Sequence, residues 1–210
     1  MICWDTETRK PLLTFKGHTD FIKGLLYIPC PKSSPYPGGI LLSGSSDKSI
    51  IVWDAATGKE LNILKGHTRA IGTFAVDPIE STADVFVVYA GGSEREVRKW
   101  TIPLADIGCA KEADEPILEH DTSVIKIRFQ GDDYDCWTAS ADFTARRIDV
   151  RDVAKKSGQM TDTLLKHADY VNDVVVEPMG RYAITACRDE DVKLWDIGVR
   201  NPGPNLAFIS

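Results

Sequence analysis

Short apolar runs broken by clusters of turn residues recur along the chain. The clearest series starts at Phe21-Ile22-Lys23-Gly24-Leu25-Leu26-Tyr27. A loop rich in proline and glycine leads to Ile40-Leu41-Leu42-Ser43-Gly44-Ser45, the polar turn Ser46-Asp47-Lys48, and then Ser49-Ile50-Ile51-Val52-Trp53. A Thr57-Gly58-Lys59 turn opens the last run, Glu60-Leu61-Asn62-Ile63-Leu64. Runs of this length, rich in β-branched and aromatic residues and bounded by Gly, Ser, Asp and Thr, predict four short β-strands joined by turns. No run of about 18 apolar residues exists, so no membrane-spanning helix is predicted.

The series restarts. Gly17-His18-Thr19 precedes the first strand and Gly66-His67-Thr68 precedes the next set. The four histidines, His18, His67, His120 and His167, fall one to a unit. A second ladder, Trp4, Trp53, Trp100, Ile148 and Trp195, is spaced 49, 47, 48 and 47 residues. A fixed period in this range marks repeated supersecondary units that bury their faces by stacking on one another.

In the first unit these residues read GH…SGSxDxxxxxWD, and the pattern resembles the WD40 repeat. It returns in weakening form over nearly the entire chain. The resemblance implies an all-β fold, a β-propeller of four-stranded antiparallel blades around a channel. It also implies a buried hydrogen-bonded tetrad in each blade: histidine, strand Ser or Thr, turn aspartate and tryptophan. His18, Ser43, Asp47 and Trp53 match in the first unit, although Ser45 shares a strand face with Ser43. His167, Thr185, Asp189 and Trp195 match in the fourth. The second unit has Glu94 for the aspartate and Ala90 for the hydroxyl; the third keeps His120, Thr138 and Asp142 but has Ile148 for tryptophan. Those two blades should depend more on apolar packing.

The expected organisation is one domain over 1–210: a partial blade (1–16) and repeats at 17–65, 66–118, 119–165 and 166–210. Pro11-Leu12-Leu13-Thr14-Phe15 and Asn205-Leu206-Ala207-Phe208-Ile209 read as outer strands. Four full blades plus part of a fifth predict a partial propeller. Part of a longer propeller is the favoured explanation, ahead of self-association that completes a ring and of an unusually small closed ring.

Composition narrows the function. A net charge of −6 and a pI near 5.2 argue against a general binder of phosphate backbones, so nucleic acid is an unlikely partner. Cys3, Cys30, Cys109, Cys136 and Cys187 are odd in number and widely spaced, unlike a disulfide framework or a CxxC metal site. They read as buried packing residues of an intracellular protein, cytoplasmic or nuclear. With every histidine assigned to a repeat position, no metal or other cofactor is expected. His18, Ser43 and Asp47 are the residue types of a nucleophilic triad, but their recurrence beside tryptophan favours a structural role.

The family resemblance implies that the positions three after each histidine (Phe21, Ala70, Ser123 and Tyr170) line a face where peptides bind. Phe21 and Tyr170 are the candidate aromatic anchors, with Ser123 beside them and Arg188 as the basic candidate. The alternative is that the aromatics only cover their blades. Loops at Pro29–Gly39, Asp77–Asp84, Pro103–Pro116 and Arg151–Asp162 should lie on the opposite face. The implied function is a non-catalytic scaffold binding protein segments within a multi-protein complex. The alternatives are a reader of a peptide or histone tail and, behind it, an enzyme on a propeller.

Overall fold

The computed structural model describes residues 1–130, 135–150 and 161–198. These residues form an all-β fold of five consecutive antiparallel sheets. An N-terminal pair, β1 (Ile2–Trp4) and β2 (Pro11–Thr14), comes first. Blade 1 follows with β3 (Ile22–Ile28), β4 (Ile40–Ser45), β5 (Ser49–Asp54) and β6 (Glu60–Lys65). Blade 2 has β7 (Ile71–Val76), β8 (Val85–Gly92) and β9 (Glu96–Pro103), edged by the short strands β10 (Lys111–Glu112) and β11 (Leu118–Glu119). Blade 3 has β12 (Val124–Phe129), β13 (Asp135–Ser140), β14 (Thr144–Asp149) and β15 (Thr161–Lys166). Blade 4 shows β16 (Val171–Val176), β17 (Tyr182–Cys187) and β18 (Val192–Asp196).

The first strands of successive blades lie side by side, β3 against β7, β7 against β12, and β12 against β16. Each of these strands slips register at the same point, between Ile22 and Gly24, Ile71 and Thr73, Val124 and Lys126, and Val171 and Asp173. A repeated bulge adds the twist that turns one blade against the next. Gly24 serves the closest approach: a Cβ there would lie 2.8 Å from the Gly72 carbonyl carbon of blade 2.

Alternating strand residues point to opposite faces, so every inner sheet buries both. Ile40, Leu42, Ile50 and Val52 pack against Val88, Ala90 and Trp100 between blades 1 and 2. Val87, Tyr89 and Val97 meet Ile127 and Cys136 between blades 2 and 3. Trp137 and Ala145 meet Val174 and Trp195 between blades 3 and 4. The outward face of blade 4 leaves Val175, Ile184 and Val192 exposed. Among the described residues the sheets form a partial WD40-type propeller with no closed barrel. No described helix is long and apolar enough to cross a membrane.

Some expectations change. Pro103–Pro116 is not simply a loop: Ile107–Cys109 makes a 3-10 turn, and Lys111–Glu112 pairs with Thr101 and Trp100 as a strand. Asp77 is fully buried, where it accepts from the Ile79 and Glu80 amides and the Tyr89 hydroxyl. Only Cys136 and Cys187 of the cysteines are buried, on the central strands β13 and β17; Cys30 is half-buried, and Cys3 and Cys109, on the peripheral β1 and 3-10 turn, are exposed. The predicted loop at 151–162, but for its last two residues, and the outer strand at 205–209 lie outside the described residues.

Candidate protein-binding face

The tetrads fix the face. In blade 1, the Trp53 indole N–H donates to Ser43 Oγ (2.8 Å), Ser43 Oγ meets His18 Nε2 (2.8 Å), and His18 Nδ1 meets Asp47 Oδ2 (2.7 Å). An indole N–H only donates and a carboxylate only accepts. The chain therefore runs one way: indole to hydroxyl, hydroxyl to Nε2, and Nδ1–H to carboxylate. Asp47 Oδ2 also accepts the Thr19 amide, which ties the β4–β5 turn to the segment entering the blade. Burial opposes charge on Asp47, but bonds from Ser49, Thr19 and His18 outweigh it and hold the carboxyl at about 2. Ser45 is not the tetrad hydroxyl; it donates to the Asp20 carbonyl.

Blade 4 repeats the chain through Trp195, Thr185 (2.7 Å), His167 (2.6 Å) and Asp189 (3.3 Å). Blade 3 keeps His120 on Thr138 (2.9 Å) and Asp142 (2.8 Å), with Ile148 buried where the indole would be. There Arg146 clamps Asp142 at 2.7 Å. Burial depresses the basicity of His120, and its bond to Asp142 offsets only part of that.

In blade 2, Glu94 reaches both His67 Nδ1 and the Thr68 amide. Burial would raise its pKa, yet bonds from His67 and Thr68 lower it to about 2. Ala90 supplies no hydroxyl, so His67 Nε2 and Trp100 Nε1 are buried without hydrogen-bond partners, their rings stacked 6.2 Å apart.

One backbone bond recurs beside each tetrad. The residue before the turn acid donates its amide to the residue three after the histidine: Ser46 to Phe21, Ser93 to Ala70, Ala141 to Ser123, and Arg188 to Tyr170. The fold thus pairs two side-chain positions on one rim of every blade. Blade 4 alone fills both with large functional side chains, and the Arg188 guanidinium lies 5.6 Å from the Tyr170 ring centroid. Phe21 is 79% exposed with only Ser46 beside it and shares no described ring contact with Tyr170. Ser123 is half-buried; its hydroxyl contacts the Ser93 carbonyl (3.4 Å) and its carbonyl accepts Ser140 Oγ, so it joins blades 2 and 3.

Two matches to the WD domain, G-beta repeat, cover residues 9–54 and 158–196. They contain the complete tetrads of blades 1 and 4. The chain is a WD40 repeat protein. It is similar to an uncharacterized WD repeat-containing protein of Schizosaccharomyces pombe, 34% identical over 199 residues, which is 94% of this chain and 49% of the yeast protein. It is also similar to cilia- and flagella-associated protein 52 of Homo sapiens, 30% identical over 123 residues (58% of this chain, 18% of that protein), and of Sus scrofa, 28% over 136 residues (63% and 20%). This WD40 chain therefore spans about half the length of the yeast relative and a smaller share of the ciliary ones.

Sequence reasoning passed over two residues. Trp137 is fully buried on β13, pointing away from Thr138 toward blade 4. The alternation Cys136-Trp137-Thr138-Ala139 carried that signal. Phe143, on the β13–β14 turn, sits 5.7 Å from Tyr170 between ring centroids and is 43% exposed. In blade 4 the ligating atoms of His167, Cys187 and Asp189 lie within 4.8 Å of one another. Each is already engaged: Nδ1 with Asp189, Sγ with the Asp169 carbonyl, and the carboxylate with Lys193 and the Ala168 amide. The cluster is a tetrad with a cysteine at its edge.

Proposed function

We propose that this chain is a non-catalytic scaffold that binds protein segments on its tetrad-side rim within a multi-protein complex. The observation carrying the reading is where the reactive residue types go. Ser43 and Thr185, the hydroxyls that could act as nucleophiles, are fully buried between a histidine and an indole. The aromatic and basic side chains at the paired rim positions stay exposed, as interface anchors do. The ciliary and flagellar names of some relatives support membership of an assembly. An intracellular setting, cytoplasmic or nuclear, fits the free cysteines.

The test is affinity purification of the full chain with quantitative mass spectrometry, wild type against Phe21→Ser and Tyr170→Ser. Proteins enriched with wild type and reduced by either substitution support the reading. No enrichment over a mock bait, or the same set with both variants, defeats it.

A further inference from the structure

The β13–β14 turn holds an unexplained cost. Its third residue adopts a left-handed conformation, as do its equivalents in blades 1 and 4: Lys48 (φ 70°), Phe143 (φ 71°) and Glu190 (φ 71°). Polar residues fill two of these positions. A bulky aromatic is a true outlier in this region, and such strain persists where something other than local stability maintains it. Phe143 recovers little by burial, since it is 43% exposed. The turn is nevertheless held firmly, because the Phe143 carbonyl accepts the His167 amide at 2.9 Å.

The surroundings supply a ligand chemistry. Phe143 packs on Tyr170, which carries the Arg188 guanidinium on its ring. Arg188 is exposed and pairs with no carboxylate among the described residues. The nearby Asp169 and Asp189 are occupied by the Tyr170 amide and by His167 with Lys193. Phe143 also lines a groove with exposed Leu164 and Lys166, and that lysine too has no acidic partner among the described residues. Asp121 and Asp142 also line it, and Arg146 faces both, at 4.0 and 2.7 Å.

We infer that Phe143, Tyr170 and Arg188 form a docking site for an acidic peptide segment that carries a bulky apolar side chain. This rests on the scaffold reading and names its partner's chemistry. The apolar side chain covers Phe143 and Leu164, and carboxylates meet Arg188 and Lys166. Arg188 is suited to a carboxylate because its planar fork offers two parallel donors while its face stays on Tyr170. A peptide is favoured over nucleic acid because two isolated cations on a chain of net charge −6 do not make a phosphate track.

The experiment is fluorescence anisotropy with labelled short peptides in which glutamates flank a phenylalanine or a leucine. Lysine-for-glutamate peptides and oligouridylate are run beside them. Wild type should bind the acidic peptides saturably, and Phe143→Asn and Arg188→Glu should each weaken binding about tenfold. Asparagine tolerates the left-handed conformation, so Phe143→Asn should leave the thermal midpoint unchanged or raise it. Loss of binding without loss of stability separates docking from a structural role. Equal binding by the variants, equal binding of lysine peptides, or no saturable binding overturns the proposal. Oligouridylate binding that Arg188→Glu abolishes, without peptide binding, overturns it in favour of nucleic acid. If Phe143→Asn keeps every co-purifying protein, this site fails and the scaffold reading stands; if nothing co-purifies with wild type, the scaffold reading fails.

Discussion

Blades 1 and 2 bring a histidine and a tryptophan to equivalent places, but only blade 1 has a hydroxyl between them. Ser43 satisfies both His18 Nε2 and Trp53 Nε1, each at 2.8 Å. Ala90 satisfies neither partner, and His67 and Trp100 keep their positions by stacking inside a large apolar cluster. The tetrad is therefore separable into two functions. Packing of the indole between blades sets the position, while the hydrogen-bond chain sets the tautomer and the turn. Blade 2 retains the second through Glu94, which still ties its turn to His67 and Thr68 and is itself fastened by Arg98 at 3.2 Å.

The sharpest way to break this comparison is to give blade 1 the defect of blade 2. Ser43→Ala removes the only partner of the Trp53 indole and leaves His18 Nε2 facing just the residue-43 carbonyl at 3.2 Å, an acceptor that cannot serve the Nδ1–H tautomer. Each such loss costs about 1–3 kcal/mol, so a destabilisation of about 2–4 kcal/mol is expected by urea denaturation. A cost under about 1 kcal/mol would mean that the hydroxyl adds little once the indole is packed.

Acid should find the carboxylates next. Glu94 has its folded-state pKa lowered from 4.5 to about 2, and Asp47 from 3.8 to about 2. The unfolded chain then takes up protons first as pH falls. The stabilisation is complete above about pH 4.5 and is lost as pH drops through 2. Thermal midpoints recorded across that interval should fall, and Glu94→Gln should give a shallower slope than wild type. Parallel slopes would show that Glu94 ionises alike in both states.

The reverse repair tests the same idea with a smaller effect. Ala90→Ser places a hydroxyl ten residues before Trp100, as Ser43 stands before Trp53 and Thr185 before Trp195. A gain of about 1 kcal/mol is expected, near the net value of one intramolecular hydrogen bond plus relief of buried donors. A loss would mean that the apolar cluster around Ala90 has closed over the space.

These contrasts follow what was legible in the sequence. The tetrads of blades 1 and 4 show because four residue types at fixed offsets rarely coincide, and the defects in blades 2 and 3 show against them. Strands β10 and β11 do not show, since two residues carry no period. The pairing of Tyr170 with Arg188 is half visible: the sequence marks both residues, but the backbone bond that sets them side by side is long-range. Phe143 escaped because turn chemistry, read from Asp142 alone, takes no account of an aromatic at a left-handed position.

The smallest effect lies at the edge of the blade 4 tetrad. Ser45 and Ser140 donate to the carbonyls of Asp20 and Ser123 and accept the amides of Asp47 and Asp142, each amide bond being 3.1 Å. Cys187 occupies the matching place, donating to the Asp169 carbonyl and accepting the Asp189 amide at 3.4 Å. Sulfur is the larger and weaker hydrogen-bonding atom. The His167–Asp189 contact, at 3.3 Å, is also longer than the 2.7 and 2.8 Å of blades 1 and 3. If the thiol props the turn open, Cys187→Ser should draw Asp189 toward His167 and stabilise the chain by roughly 0.5 kcal/mol. The shift should be visible as a downfield move of the His167 Nδ1 proton. A thermal midpoint that falls instead would assign the longer contact to Lys193, which holds Asp189 from the other side at 3.5 Å.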